Sequence, residues 1–219
     1  PIIIDEVQKL PTLLDEVHWL IENRGIRFVL CGSSARKLRR HHGNLLGGRA
    51  VRRVLRPLVY PEIPDFSLER ALSAGLLPRH YQSPSHLELL QSYVGDYLKE
   101  EIAAEALTRN VPAFGRFLEI AALSNGEMVN YVNIARECGV SSPTVKAYYE
   151  ILCDTLLATE LPAYAKRRKR RLVSAPKYVF CDVGVVGELT RRGDVVQGSE
   201  VFGRAFEHFI HTELTAHST

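Results

Sequence analysis

The chain has 219 residues, 46% hydrophobic and 24% charged, the balance of an ordinary globular protein with room for one large domain or two small ones. No run approaches the roughly 18 apolar residues of a membrane span, and no amino-terminal stretch pairs a basic start with an apolar core. Membrane and secreted classes are therefore set aside and a cytoplasmic protein is expected. The net charge of +3 has a local origin. Lys166-Arg167-Arg168-Lys169-Arg170-Arg171 supplies six positive charges, and taking those six from +3 leaves −3, so a polyanion contact is expected at that run. Cys31, Cys138, Cys153 and Cys181 are scattered without zinc or redox spacing and read as reduced, small core residues.

In chain order, Ile2-Ile3-Ile4 is a short, wholly apolar run that predicts a strand buried on both faces, as in a parallel sheet. It runs into Asp5 and Glu6. Carboxylates at the carboxyl end of such a strand lie at the edge where open α/β sheets bind ligands. An aspartate there can hold Mg2+ through its water shell, and a glutamate beside it can polarise a water attacking a phosphate. The plain alternative is a strand ending in a polar turn. From Thr12 to Glu22, Leu13, Leu14, Val17, Leu20 and Ile21 share one helical face, and Asn23-Arg24-Gly25 stops the helix. Arg27 to Cys31 reads as a second buried strand, ended by Gly32-Ser33-Ser34. Strand, helix, strand makes a βαβ unit with parallel strands, so both strands deliver polar groups to one edge. A short basic helix from Ala35 to His42 follows, with His41 and His42 read as surface. Arg49 then comes off a glycine loop, where it can reach a phosphate in its own chain or in a neighbouring subunit, which admits an oligomer. Val51 to Leu55 reads as a third strand.

Residues 2–8 (Ile-Ile-Ile-Asp-Glu-Val-Gln), 30–35 (Leu-Cys-Gly-Ser-Ser-Ala), 46–50 (Leu-Gly-Gly-Arg-Ala) and 56–62 (Arg-Pro-Leu-Val-Tyr-Pro-Glu) occur in this order. Together they resemble the prokaryotic AAA-type P-loop ATPases that carry a carboxyl-terminal domain of unknown function. The resemblance implies a Walker B pair at Asp5 and Glu6, with Asp5 toward the metal. It also implies a sensor hydroxyl at Ser33 or Ser34, a sensor or finger arginine at Arg49, and ATP with Mg2+ as cofactors. The family's phosphate-cradling G-x-x-x-x-G-K-[ST] loop lies upstream of Walker B, and this sequence has none. The chain as it stands is therefore expected neither to bind ATP tightly nor to hydrolyse it, and reads as an internal piece of a longer protein.

Prolines 57, 61, 64 and 78 mark a crossover containing one short helix near Ser67 to Ala74, and His86 to Ala106 predicts a longer helix. Its Glu100, Glu101 and Glu105 are read as a solvated face. Helices are then expected over Ala113–Leu123, Tyr131–Cys138 and Pro143–Cys153. Gly139 turns the chain, Ala135 lets the helices approach, and Val140 and Val145 fill the core, a helix-turn-helix pattern. Ser141 or Ser142 caps the third helix. Strands over Leu156–Leu161 and Leu172–Phe180 make that pattern a winged helix whose wing tip carries Lys166, Arg167, Arg168, Lys169, Arg170 and Arg171. Ser142, Thr144, Lys146 and Tyr148 are the candidate recognition-helix residues, small and mostly neutral, so base reading is not evident. Asp182 is expected to cap the next helix. Phe202 to His217 reads as an amphipathic helix, and within it residues 203–210 (Gly-Arg-Ala-Phe-Glu-His-Phe-Ile) are similar to the opening helix of the family's restriction-endonuclease-like tail, with Glu207 a carboxylate lacking partners, so nuclease activity is not expected.

The fold class expected is α/β, a partial P-loop NTPase parallel sheet, followed by a mostly α winged-helix domain. The domains are 1–64 (ATPase), 65–111 (helical connector), 112–182 (winged helix) and 183–219 (start of a third domain). The expected partners are a nucleotide in the intact protein and, at the winged helix, nucleic acid (DNA through the basic wing) or a partner protein, with no membrane. The rival is a non-catalytic winged-helix DNA-binding or regulatory protein on a relic ATPase scaffold.

Overall fold

A computed structural model describes residues 1–10, 12–32, 49–51, 53–97, 110–162 and 175–218. They divide into two compact units, Pro1–Leu55 with Leu152–Leu156, and Arg56–Ile151 with Leu157–Thr219.

The first unit is α/β. Strand β1 (Ile2–Ile4), helix α1 (Leu13–Arg24) and strand β2 (Phe28–Leu30) form the expected βαβ succession. The strands are parallel, with Ile2 opposite Phe28, Ile3 opposite Val29 and Ile4 opposite Leu30. Gly25, at φ 62°, ends α1 in the left-handed region that glycine enters without cost, and its N–H returns to the carbonyls of Ile21 and Leu20. Val7, Leu14 and Val17 are the buried residues of this βαβ segment. The strands differ from expectation in burial: Ile3 is 69% and Val29 46% exposed. Among the described residues the sheet has these two strands only, so each strand has one neighbour along its edges. Among the described residues the expected third strand does not form. The described residues of 51–55 pair with nothing regular, and Leu55 is 99% exposed. Cys31 is exposed at the end of β2 rather than buried.

The second unit is mostly helical. A 3-10 turn at Tyr60–Glu62 leads to α2 (Leu68–Ala74), capped by the Ser67 hydroxyl on the Arg70 N–H. Helices α3 (Pro78–Gln82) and α4 (His86–Ser92) follow. The long helix expected from His86 gives way to a π-helical turn at Tyr93–Tyr97, which contains Gly95, a weak helix former. Leu90 and Val94 are buried as expected, but Leu87 is exposed. Next come α5 (Val111–Leu123), α6 (Tyr131–Cys138) and α7 (Ser142–Asp154). An antiparallel hairpin of β3 (Ala158–Leu161) and β4 (Lys177–Phe180) follows, with Leu161 opposite Lys177. Helices α8 (Val183–Leu189) and α9 (Phe202–His217) complete the unit.

Aromatic rings bind the three-helix segment together. Phe117 sits edge-on to Tyr149 at 4.8 Å, Tyr148 packs against Phe114 and Phe117, and Tyr149 stacks on Tyr178 of β4 at 4.0 Å. Tyr148 is thus buried core, which corrects its place among the recognition-helix candidates. Val145 is fully buried and Val140 half-buried. A second cluster joins Ala71, Leu72 and Leu76 to Val183, Ala205 and Phe209, so α8 and α9 seal the unit against α2. No described helix is long and apolar enough to cross a membrane.

Candidate functional site

The parallel register brings the ends of β1 and β2 together. The Cys31 N–H donates to the Ile4 carbonyl at 2.9 Å, and the Val7 N–H to the Cys31 carbonyl at 3.1 Å. These two bonds bracket Asp5 and Glu6 and fix the pair beside the tip of β2. The Asp5 carboxylate is exposed and its Oδ1 accepts the Glu6 N–H at 2.9 Å. Glu6 is in the left-handed region (φ 52°, ψ 38°), a conformation costing a non-glycine residue roughly 1–2 kcal/mol. Backbone strain of this kind gathers at functional sites. The reversal turns the chain directly into the Val7–Lys9 turn, where Lys9 Nζ lies 3.3 Å from Glu6 Oε2. Sequence reading missed this partner, although the i, i+3 spacing across Asp5-Glu6-Val7-Gln8-Lys9 was there to be used.

Arg49 forms an ion pair with Glu22 of α1, a partner that no local pattern announced. Ser33 and Ser34 lie outside the described residues, so the site is built here from Asp5 and Glu6 alone. A hard cation of the Mg2+ type keeps several waters and takes one or two protein carboxylates, which Asp5 can supply. No three His, Cys, Asp or Glu side chains among the described residues are arranged to hold a metal by themselves.

In the second unit, Ser141 Oγ accepts the Thr144 N–H at 3.3 Å and lies 2.8 Å from Thr144 Oγ1, so Ser141 caps α7. Gly139 turns the chain at φ 68°. Ser142 and Thr144 are half-buried and Lys146 is exposed. The segment before α6 runs along β4: Met128 bridges Lys177, and the Gly126 N–H donates to the Tyr178 carbonyl at 2.9 Å. Lys166, Arg167, Arg168, Lys169, Arg170 and Arg171 lie outside the described residues.

Two polar clusters go beyond the expected Asp182 cap. Asp182 is buried and caps α8, accepting the Gly184 and Val185 N–H groups on Oδ1 while Oδ2 takes the Leu76 N–H at 2.6 Å. Burial pushes its carboxyl above the ordinary range, and those three amides and His80 oppose the shift. The second cluster is a closed ring. The Phe180 N–H donates to Asn125 Oδ1 at 2.9 Å, the Asn125 amide lies 3.3 Å from His208 Nδ1, and His208 Nε2 lies 2.7 Å from the Phe180 carbonyl. A donor at Nε2 and an acceptor at Nδ1 close it. Burial pulls the His208 imidazole down to about 4, so it is neutral in the ring. Beside it, a pocket of about 190 Å3 is lined by Lys177, Arg204, Glu207 and His211 among others.

Residues 1–64 match the family described as AAA domain, and residues 65–195, more than half of the chain, match the family described as domain of unknown function, DUF8612. The chain belongs to the DUF8612 family. Its AAA segment supplies an ATPase-like scaffold, and the DUF8612 segment accounts for most of the helical second unit. Two mycobacterial proteins are similar over nearly the whole chain. An uncharacterized protein of Mycobacterium tuberculosis and one of Mycobacterium bovis are each 22% identical over 98% of this chain and 50% of their own length. The chain therefore spans about half the length of the curated relatives it matches. No solved structure matches it.

Proposed function

We propose that this DUF8612 chain works as part of an ATP-hydrolysing AAA-type protein whose second unit is a winged helix that contacts DNA. The observation that carries the first half is the parallel pairing of β1 and β2, which sets Asp5 and Glu6, at the carboxyl end of β1, beside the carboxyl end of β2. In such a site a bound Mg2+ would neutralise charge on the nucleotide phosphates. Asp5 would hold the ion's water shell. Glu6, held by its reversed backbone and released from Lys9, would orient and polarise the attacking water. Arg49 and a hydroxyl from Ser33 or Ser34 are the further groups proposed to act on phosphate.

Support for the winged helix is the order α5, α6, α7, β3, β4 with the Met128 segment added beside β4. Leu161 pairs with Lys177 at the last rung of the hairpin, and the sequence between them contains all six cations of 166–171. The proposed domains are the AAA part to residue 64, a connector to 111, the winged helix to 182, and a further element from 183. A second reading rests on the same hairpin: the α/β part is a relic scaffold and the winged helix is the functional module.

The deciding experiment is ATP turnover by this chain, and by the chain joined to the coding sequence that precedes it in frame, each beside Glu6→Gln. Hydrolysis that collapses in Glu6→Gln with nucleotide binding retained supports the ATPase. Absence of turnover in both removes it and leaves the winged helix.

A further inference from the structure

The pocket beside the Asn125–Phe180–His208 ring takes no part in the proposed ATP or DNA chemistry, and three elements of the second unit wall it. β4 turns Lys177 and Val179, two positions apart, to one face of the hairpin, and Leu161, directly opposite Lys177, shares that face. α9 brings Arg204, Glu207, His208 and His211, spaced i, i+3, i+4 and i+7, to one side of the helix. The turn at residues 125–127 supplies the third wall. Asn125, bonded to the Phe180 N–H and to His208, ties the three together. At about 190 Å3 the cavity lies below the roughly 300–1,000 Å3 of drug-sized sites, so it suits a small molecule and not a nucleotide.

The charges on these walls balance. Arg204 and Glu127 form an ion pair at 3.0 Å. Lys177 and Glu207 are left over: among the described residues neither side chain makes a hydrogen bond or an ion pair. His208 spends both nitrogens in its ring of hydrogen bonds. His211 is drawn toward its neutral form by burial and then by Arg56, with Glu207 opposing. With both histidines neutral, two cations stand against two carboxylates, so net charge favours neither an anion nor a cation. A metal ion would need more donors, and no three His, Cys, Asp or Glu side chains among the described residues are placed to hold one. What the pocket offers is an ammonium and a carboxylate that do not pair with each other, beside the apolar surface of buried Val179 and half-buried Leu161.

We infer that this pocket binds a small zwitterion of the amino-acid type with an apolar side chain. Its carboxylate meets the Lys177 ammonium, its ammonium meets the Glu207 carboxylate, and its side chain lies on Leu161 and Val179. Charge-assisted contacts of opposite sign at two points read both ends of such a molecule. A ligand lacking either charge leaves one protein group unanswered, which is where the selectivity comes from.

The test is isothermal titration calorimetry of the full chain with L-valine, L-leucine and L-methionine. Each is also supplied N-acetylated, without its ammonium, and as the carboxamide, without its carboxylate. The proteins are wild type, Lys177→Gln and Glu207→Gln, their folds checked by circular dichroism; both positions are exposed, so both variants should fold. At least one amino acid should bind wild type with a Kd of about 1 mM or tighter. Its two capped forms, and each variant with the free amino acid, should bind about tenfold more weakly or worse. Glu207→Gln should no longer distinguish the amino acid from its N-acetyl form, nor Lys177→Gln the amino acid from its carboxamide. Failure of all three amino acids to saturate wild type by about 20 mM overturns the inference. An N-acetyl form that binds as tightly as the free amino acid overturns it too, by making the pocket an anion site. So does amino-acid binding that both variants retain, which would place the ligand elsewhere.

Discussion

Gly75 and Asp182 share so little space that a Cβ built on the glycine would lie 2.0 Å from Asp182 Oδ1. Gly75 ends α2 at φ 77°, and Asp182, 107 positions along the chain, fills the volume its missing side chain leaves. Gly184 makes the reciprocal approach, since a Cβ there would meet the Ala74 carbonyl oxygen at 2.6 Å. The Asp-x-Gly run is thus a latch: the aspartate caps α8 and takes the Leu76 N–H, while the glycine lets α8 lie against the end of α2.

The latch predicts a non-additive pair. Asp182→Ala removes a cap and leaves a buried Leu76 N–H unpaired, together about 2–4 kcal/mol. Gly75→Ala should cost more than Gly139→Ala, because Gly139 has a similar φ of 68° but open space around it, leaving only left-handed strain of about 1–2 kcal/mol. The Gly75→Ala/Asp182→Ala double variant should be less destabilised than the sum of the singles. Urea denaturation of the four proteins measures this, and strict additivity would show that the two residues do not compete for one space.

The Asn125–Phe180–His208 ring predicts a pH dependence of stability. The His208 pKa is about 4 in the fold, depressed by burial, against about 6.5 for an unfolded histidine. A depressed folded pKa means the unfolded state binds the proton more readily, so stability is full above about pH 6.5 and falls as pH drops toward 4. The loss is on the order of 3 kcal/mol from this one group. In His208→Gln, denaturation from pH 7.5 to 4.5 should show a shallower slope than wild type. An unchanged slope would place the titration elsewhere.

What could be read from sequence was what local period encodes. The 3.6-residue patterns gave α6 over Tyr131–Cys138, α9 over Phe202–His217 and the apolar face of α1, and Gly25 and Gly139 stop their helices where the φ > 0 turns demanded. Asp182 as a helix cap was legible because the side chain sits next to its acceptors in sequence. Long-range facts were not. Nothing near His208 announces Asn125, 83 positions away, and nothing near Arg49 announces Glu22. Tyr148 was misplaced because a helix seven residues into its course presents a different face than its first turn. The run Ile2-Ile3-Ile4 encodes β structure, but the burial of a strand depends on neighbours that its own residues do not specify.

Glu6 predicts a separation of function from stability. Glu6→Gln keeps the backbone and its strain, so stability should stay within about 0.5 kcal/mol. Glu6→Gly removes left-handed strain of about 1–2 kcal/mol and returns about 0.5–1 kcal/mol as unfolded-chain entropy, so it should be neutral to slightly stabilising. Both should abolish turnover in a protein that hydrolyses ATP. Thermal melts beside turnover assays decide it. A Glu6→Gly protein that is clearly destabilised would mean the carboxylate holds the fold as well, for example through Lys9.

Tyr148 and Lys146 lie two positions apart on α7, and their substitution should have opposite consequences. Tyr148→Ala empties a buried site against Phe114 and Phe117 and should cost about 3–5 kcal/mol, in the range of large aromatic truncations. Lys146→Ala touches an exposed position and should stay within about 0.5 kcal/mol. A DNA-binding assay on these two variants therefore has to be read with their melts. Weak binding by Tyr148→Ala that recovers at lower temperature, where the fold is restored, reports the core. Weak binding at every temperature from a folded Tyr148→Ala protein would return this tyrosine to the DNA-facing surface, and would require α7 to rotate out of the packing that Val145 and Tyr149 now fix.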